Sequence, residues 1–445
     1  MRLAVVRERG EGEARVAGVP ETVRKLAGLG VGVAVEAGAG LGSSVSDAQY
    51  AEAGAEVAPS AQAALAGAGV VLAVGMPPAE VRALIPRGAL LVCISGAARD
   101  PALAPALAER GIDVAAMELL PRITRAQSMD VLSSQANLAG YRAVIEGAGA
   151  FERGFPMMMT AAGTVPPARV LVLGAGVAGL QAIATARRLG AIVSATDVRP
   201  AAKEEIRSLG AVFVGVEDSE SAAQTGPYAG AMSADFLRRQ GELVAQAAAK
   251  SDLVICTALV QGRQAPVLLG ADAVAAMRAG SVIVDLAAEA GGNCAATVPG
   301  EAITTDNGVR VLGWRNWPAR IAVAASALYA RNLLTFLTVF WHKEEGRPHL
   351  PSDDAIVQGV MLTRGGVVVH PQLQPATPTP AEAPSASAAA PLAPASAQPL
   401  APASAQPIAP ASAREQPLAA PEPVAPASAR EGHRTVVVAP AQPLA

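Results

Sequence analysis

Three glycines, Gly174, Gly176 and Gly179, stand between apolar runs in VLVLGAGVAGLQAIATARRLGAIVSATD, the stretch Val170–Asp197. Val170–Leu173 predicts a short buried strand, Leu180–Leu189 a helix, and Ile192–Thr196 a second strand ending at Asp197. A G-x-G-x-x-G turn in that setting has a definite chemistry. Gly174 permits the tight turn out of the strand, Gly176 lets a pyrophosphate approach the backbone, and Gly179 lets the helix lie close on the sheet. The helix N-terminus, with Ala175 and Val177 in the turn, presents unpaired N–H groups and positive dipole to phosphates. A carboxylate about 20 residues on can accept from the adenosine ribose hydroxyls and repels a 2′-phosphate there. Asp197, followed by Val198 and Arg199, fits that role and predicts NAD(H) rather than NADP(H).

A second dense group is PRITRAQSMDVLSS, Pro121–Ser134, with two arginines, a glutamine, an aspartate and three serines between an apolar strand and a helix-compatible segment. It reads equally as a site at a crossing between domains or as a helix-capping loop with a surface ion pair. A third is the polar, glycine-bearing Asp218–Met232, too long for a plain connection and expected to be a functional loop or a surface insertion.

These groups need elements to hold them. Over residues 1–135, strands are expected at Leu3–Val6, Val31–Val35, Val70–Val74, Ala89–Ile94 and Ile112–Met117. Helices are expected at Pro20–Leu29, Asp47–Ala53, Pro59–Ala66, Pro77–Leu84 and Pro101–Glu109, each proline placed in a first turn. The alternation implies a doubly wound parallel sheet without its own glycine turn. A helix-compatible stretch from Val131 to about Arg153 leads to the nucleotide-binding unit, which continues through Val212–Val216, Leu253–Thr257, Ser281–Asp285 and Val309–Leu312. Pro318–Trp341 reads as helix and Gly366–Val369 as a strand. The expected architecture is therefore α/β, with two Rossmann-like parallel-sheet domains flanking a cleft. The first is discontinuous (residues 1–135 with 320–370) and the second spans 136–319. Beyond His370 the chain is almost wholly Ala, Pro, Ser and Gln, with PLAPASAQ at 391–398 repeated at 399–406, and reads as a disordered tether over 371–445.

Composition sets bounds. Lys+Arg 35 against Asp+Glu 38 leaves a charge of −3 and no general basic surface for nucleic acid or anionic lipid. The N-terminus lacks the pattern of a signal peptide, and no apolar run reaches the ~18 residues of a spanning helix. Cys93, Cys256 and Cys294 lie far apart without C-x-x-C, as packing thiols of a cytoplasmic chain would. No metal site is expected. His342, His349, His370 and His433 all fall near or beyond the end of the folded part, where surface or packing roles are expected.

PRITRAQSMDVLSSQANLAGYRAV, followed by the glycine turn and ATDVRP, closely resembles the NAD(H)-binding subunit of proton-translocating NAD(P) transhydrogenase. The resemblance runs from residue 1 to about His370, through GEARVAGVPETV, VEAGAG and GVMLTRGGVVVHP. It implies that Arg122, Asp130 and Ser133 hold the nicotinamide end of NAD(H). It also implies that Gln127 reaches toward NADP(H) on a partner subunit, and that Tyr228 rides a mobile loop closing over the nucleotide. It further implies a homodimer, an NADP(H)-binding beta subunit and a small membrane alpha-2 subunit. This chain would then lie peripherally at the cytoplasmic face and not enter the membrane, in the split form of the enzyme. Hydride transfer between two nicotinamides asks for placement of the two rings, not for an acid or base.

Alanine dehydrogenases share the fold, and as the resemblance implies they use a lysine and a histidine in the first domain. Here the corresponding strands read VVLAVGMPP (Val70–Pro78) and LLVCISGAARD (Leu90–Asp100), without either. The lysine that transhydrogenases often carry in the first of these is also missing, and VQGRQAP (Val260–Pro266) replaces the usual proline-glycine-lysine loop. A non-catalytic NAD(H)-binding scaffold remains the reading from another class.

Overall fold

The computed structural model describes residues 1–216, 233–259 and 264–373. In the first sheet, β1 (Arg2–Val5), β2 (Gly32–Glu36), β3 (Glu56–Ala58), β4 (Val70–Gly75), β5 (Leu90–Ile94) and β6 (Asp113–Ala116) lie side by side in the order β6-β5-β4-β1-β2-β3. Every pairing among them is parallel. Leu3–Val5 and Val70–Val74 are buried throughout, as a parallel sheet covered by helices on both faces requires.

The chain then enters a 20-residue helix, Val131–Ala150, and a two-stranded ribbon of β7 (Met158–Thr160) and β8 (Gly163–Val165). The second sheet follows: β9 (Arg169–Leu173), β10 (Ile192–Thr196), β11 (Val212–Phe213), β12 (Leu253–Cys256), β13 (Val282–Asp285), β14 (Ala302–Thr304) and β15 (Arg310–Leu312). Its order is β11-β10-β9-β12-β13-β15-β14, parallel except for the last pair. The molecule is thus α/β with two parallel-sheet, Rossmann-like domains.

A 3-10 turn, Trp317–Ile321, leads into the helix Ala322–Val339. Trp317–Val339 is long and apolar enough to cross a membrane, but 56% of its most apolar 18-residue window is buried within the protein. Tyr329 shows why. Its ring is fully buried and its hydroxyl donates to the carbonyls of Ala73 (2.9 Å) and Val74 (3.1 Å) in β4. After the small hairpin β16 (Trp341–His342) and β17 (Arg347–Pro348), β18 (Met361–Arg364) pairs antiparallel with β6, and β19 (Val367–Val368) closes that edge.

Several local expectations change. Only Pro20 occupies the first turn of its helix. Pro59 and Pro101 precede the caps Ser60 and Ala102, Pro77 lies outside its helix, and Pro78 is itself a cap. Serine at the cap wins over proline at Ser60 because its hydroxyl accepts the Ala63 N–H (3.3 Å). The edge strand β3 and the late-joining β18 carry no distinct apolar run, and Val212–Val216 shortens to two paired residues. Trp341, read as the end of a helix, belongs to β16, because the helix stops at Val339.

Candidate functional site

In both sheets the strand order reverses at one place, and a crevice beyond the strand ends there is where ligands of such sheets bind. In the second sheet the reversal falls between β9 and β12, and the glycine turn leaves β9 at that place. Gly174 has φ +96, a left-handed conformation that disfavours side chains. A Cβ on Gly179 would lie 1.9 Å from the Gly174 carbonyl oxygen, so the helix Val177–Arg188 sits against the turn as closely as backbone allows. Gly176 is different: a Cβ there would meet nothing within 4 Å. It caps the helix without a capping side chain, so no side chain of the cap occupies the first-turn N–H groups. A phosphate would fit there.

Asp197, just beyond β10, is spoken for within the chain. Its Oδ2 accepts the Ala175 N–H at 2.8 Å, and its Oδ1 accepts the Arg199 N–H at 2.8 Å and Nε at 3.0 Å. Arg199 Nη2 also donates to the Ala175 carbonyl (3.0 Å), and Val198 is half-buried between the pair. Asp197, Arg199 and the glycine turn therefore form one unit.

The Pro121–Ser134 segment forms a 3-10 turn, Thr124–Met129, anchored by the buried Ala126 and Met129. Asp130 caps the following helix: its carboxylate accepts the Ser133 N–H (2.9 Å) and hydroxyl (2.6 Å). Asp130 and Ser133 are thus together, and the segment caps a helix and carries an ion pair, Arg125–Asp354, as the capping-loop reading expected. Arg122 and Gln127 are exposed, and the Gln127 carbonyl accepts the Asp130 N–H (3.3 Å). Asn332, from the helix Ala322–Val339, braces the segment by donating to the Ser128 carbonyl (2.8 Å) and accepting from the Ser134 hydroxyl (2.7 Å).

The two groups share a mechanical link. Gly140, on the Val131–Ala150 helix, lies so close to the glycine-turn helix that a Cβ would come 2.0 Å from the Ala178 carbonyl oxygen. Asn137 donates to Gln181 across the same contact at 3.0 Å. Tyr228 with the whole of the Asp218–Met232 stretch, and residues 260–263 of VQGRQAP, lie outside the described residues, as does His433.

Sequence reading missed two features. Thr257, after β12, donates its hydroxyl to the carbonyls of Leu173 (3.1 Å) and Gly174 (2.9 Å), and so closes the glycine turn from the neighbouring strand. Behind it the fully buried Asp285 is satisfied by N–H groups of Ala287, Asn293 and Cys294 and by the Thr297 hydroxyl. The second feature is the reversal point of the first sheet, between β1 and β4. A cavity of about 140 Å³ there is lined by Glu8, Glu13, Gly75, Pro77 and Asn316, among others. The charge-dense RERGEGEAR directly after an apolar strand was the available signal.

Glu8 accepts the Val74 N–H (2.6 Å). Burial raises its carboxyl to about 7, although that hydrogen bond pulls the other way. Burial also pushes the Glu13 carboxyl up, but Arg15, bonded to it at 2.6 Å, holds it below the ordinary value. Arg15 reaches on to Gln135 (2.9 Å) and Asn316 (3.3 Å), joining the N-terminal loop to both ends of the second sheet's connections. Asn316 holds a left-handed φ of +49, and its N–H donates to Glu289 at 2.6 Å.

The three cysteines are buried and unpaired to one another, and burial pushes each thiol up. Burial lowers His370, while His342 and His349 sit on the β16–β17 hairpin. Among the described residues no group of three or more His, Cys, Asp or Glu is placed to hold a metal ion.

Comparison with known proteins agrees with this layout. Residues 4–139 match the family described as "Alanine dehydrogenase/PNT, N-terminal domain" and residues 143–371 the "Alanine dehydrogenase/PNT, C-terminal domain". The chain is 52% identical over 380 residues to a Rhodospirillum rubrum protein named as the first part of an NAD(P) transhydrogenase subunit alpha, covering 84% of this chain and 99% of that one. A solved structure of transhydrogenase from Sinorhizobium meliloti superposes with a TM-score of 0.76 at 49% identity, over 83% of this chain and 100% of that one. A solved L-alanine dehydrogenase superposes with a TM-score of 0.69 at 27% identity, over 84% and 98%.

Proposed function

Because the chain belongs to the alanine dehydrogenase/PNT family, we propose that it is the NAD(H)-binding subunit of a proton-translocating transhydrogenase. The carrying observation is the glycine turn at the β9–β12 reversal in a chain alignable with 99% of a transhydrogenase alpha-subunit polypeptide. Gly174, Ala175, Gly176, Val177 and Gly179 would hold the pyrophosphate, and Asp197, Val198 and Arg199 the adenosine ribose. Tyr228 would cover the nucleotide. Bound NAD(H) supplies the hydride of NADH + NADP⁺ ⇌ NAD⁺ + NADPH.

The chain's own residues bind, orient and exclude water. Arg122 and Ser133 fix the nicotinamide end, with Asp130 holding Ser133 in place. Arg122 suits this because its planar, always-charged fork orients a ligand better than a lysine would. Gln127 reaches toward NADP(H) on the beta subunit. Proton movement belongs to that subunit and to a membrane alpha-2 subunit, with this chain peripheral at the cytoplasmic face. The R. rubrum relative is named as one portion of a divided alpha subunit, which supports the split arrangement. Pairing of β18 with β6 supports a first domain of residues 1–135 with 320–370 and a second of 136–319, with a cleft between them. A homodimer is supported by Met157, Met158 and Met159, exposed apolar side chains at the β7–β8 ribbon.

The likeness to L-alanine dehydrogenase favours a second reading, a stand-alone dehydrogenase, against which stand the lysine-free stretch Val70–Pro78 and the histidine-free stretch Leu90–Asp100. One reconstitution separates them. The purified chain should bind NADH, leave pyruvate unreduced, and transfer hydride once the NADP(H)-binding subunit is added. Gln127→Asn should slow transfer more than it weakens NADH binding. Turnover of pyruvate by the chain alone would overturn the proposal, and equal losses would remove the role given to Gln127.

A further inference from the structure

Resting on the transhydrogenase reading above, we propose that Asn332 is a positioning residue for hydride transfer: it braces the turn that carries Gln127 against the helix cap made by Asp130 and Ser133, and so fixes where a second nicotinamide meets the first. The brace is one side chain with two bonds. Asn332 is only 9% exposed. Its Nδ2 donates to the Ser128 carbonyl at 2.8 Å, and its Oδ1 accepts the Ser134 hydroxyl at 2.7 Å. Ser128 adjoins Gln127 and Ser134 adjoins Ser133, so a single planar amide spans the segment from the Thr124–Met129 turn to the start of the next helix.

The turn has other anchors, and they direct it less. Burial of Ala126 and Met129 is non-directional. Arg125, which pairs with Asp354, is an exposed side chain, and such pairs contribute little. A hydrogen bond fixes both distance and direction. The brace is itself held in place. Ala325, Tyr329 and Asn332 stand at i, i+4 and i+7 on one stripe of the helix Ala322–Val339. The Tyr329 hydroxyl ties that stripe to β4, and the Ala325 carbonyl accepts the Gln135 amide at 3.1 Å. The turn is thereby referenced both to the first sheet and to the Val131–Ala150 helix. Asn332 acts through Ser128 and Gln127, not on the nucleotide.

The test compares the full chain as wild type, Asn332→Asp and Tyr329→Phe. Asn332→Asp is nearly isosteric and keeps the acceptor for Ser134, but sets a carboxylate oxygen against the Ser128 carbonyl. Tyr329→Phe weakens the same helix one turn earlier and leaves the brace intact. Amide exchange over Thr124–Met129, measured without nucleotide, should quicken about tenfold in Asn332→Asp and stay unchanged in Tyr329→Phe. With the NADP(H)-binding subunit added, Asn332→Asp should bind NADH within about twofold of wild type by calorimetry, yet transfer hydride about tenfold to a hundredfold more slowly, the scale of a small misplacement. Tyr329→Phe should melt at a lower temperature with transfer unchanged. Asn332→Ala repeats the test if the aspartate variant does not fold. Unchanged transfer in Asn332→Asp, a loss of NADH binding as large as the loss of transfer, or an equal slowing in Tyr329→Phe overturns the inference alone. Absence of transfer by the wild type overturns the functional reading and the inference with it.

Discussion

Replacing Glu8 by Gln should stabilise the protein at pH 8 and do little at pH 5. Glu8 stands at the first sheet's reversal point, enclosed by β4 and the N-terminal loop, with Glu13 raising its carboxyl further and Arg15 lowering it. Its carboxyl rises from the ordinary 4.5 to about 7, burial being the main cause. A folded-state value above the unfolded one means the folded protein prefers the proton. Stability from this group is therefore full below pH 4.5 and falls until the pH passes about 7. A shift of that size corresponds to about 3 kcal/mol at pH 8 and less than about 1 kcal/mol at pH 5. Glutamine keeps an acceptor for the Val74 N–H but carries no charge to desolvate. Urea unfolding of wild type and Glu8→Gln at the two pH values reads the difference directly. A gain at pH 8 no larger than at pH 5 would show that Glu8 is solvated and that the enclosure argument is wrong.

The glycine turn gives a paired test. Gly176→Ala should leave thermal melting unchanged, because its Cβ enters open space, yet weaken NADH binding about tenfold or more by blocking phosphate approach. Gly179→Ala should cost about 1–3 kcal/mol in unfolding free energy even without nucleotide, since its Cβ would strike the Gly174 carbonyl. Equal effects of the two on melting would contradict the assignment. If the proposed homodimer forms through the β7–β8 ribbon, Met159→Asp should shift it to monomer in sedimentation experiments; a dimer left unchanged would place the interface elsewhere.

The central strands were legible because burial on both faces writes itself as continuous apolar runs, such as Val70–Val74. The glycine turn was legible because each glycine answers a different steric demand. Peripheral elements were not. Glu56–Ala58 pairs on one side only, Met361–Arg364 joins the sheet from late in the chain, and their residues carry no periodicity that singles them out. At the site, Asp197 was found as an acid at the right distance. Its engagement by Arg199 was hidden, because an i, i+2 pair after a strand becomes a clamp only when the chain turns there. Thr257 was hidden for a different reason: it acts on a glycine 83 residues away, through strand order that local pattern does not reveal.

Positioning a nicotinamide against a second one on another protein asks for rigidity on this side, since placement within ~3–3.5 Å must survive docking. The structure supplies that rigidity by close backbone approach together with buried side chains, Ala139, Ala143 and Val144 packing in one cluster with Ala182, Ile183 and Ala186. The Val131–Ala150 helix begins at the Asp130–Ser133 cap, and one face-to-face contact at Gly140 locks it onto the helix that begins at Gly176. The Asp130–Ser133 cap and the glycine turn thus share one two-helix body, with the Thr124–Met129 turn tied to it by Asn332 and to Asp354 by Arg125. On the proposed function, a nucleotide gripped at the glycine turn would be held relative to Asp130 and Ser133 by this shared body. On this arrangement, loss of hydride transfer with unchanged NADH binding is the signature expected of changes at the Gly140–Ala178 contact, not of changes at the glycine turn itself.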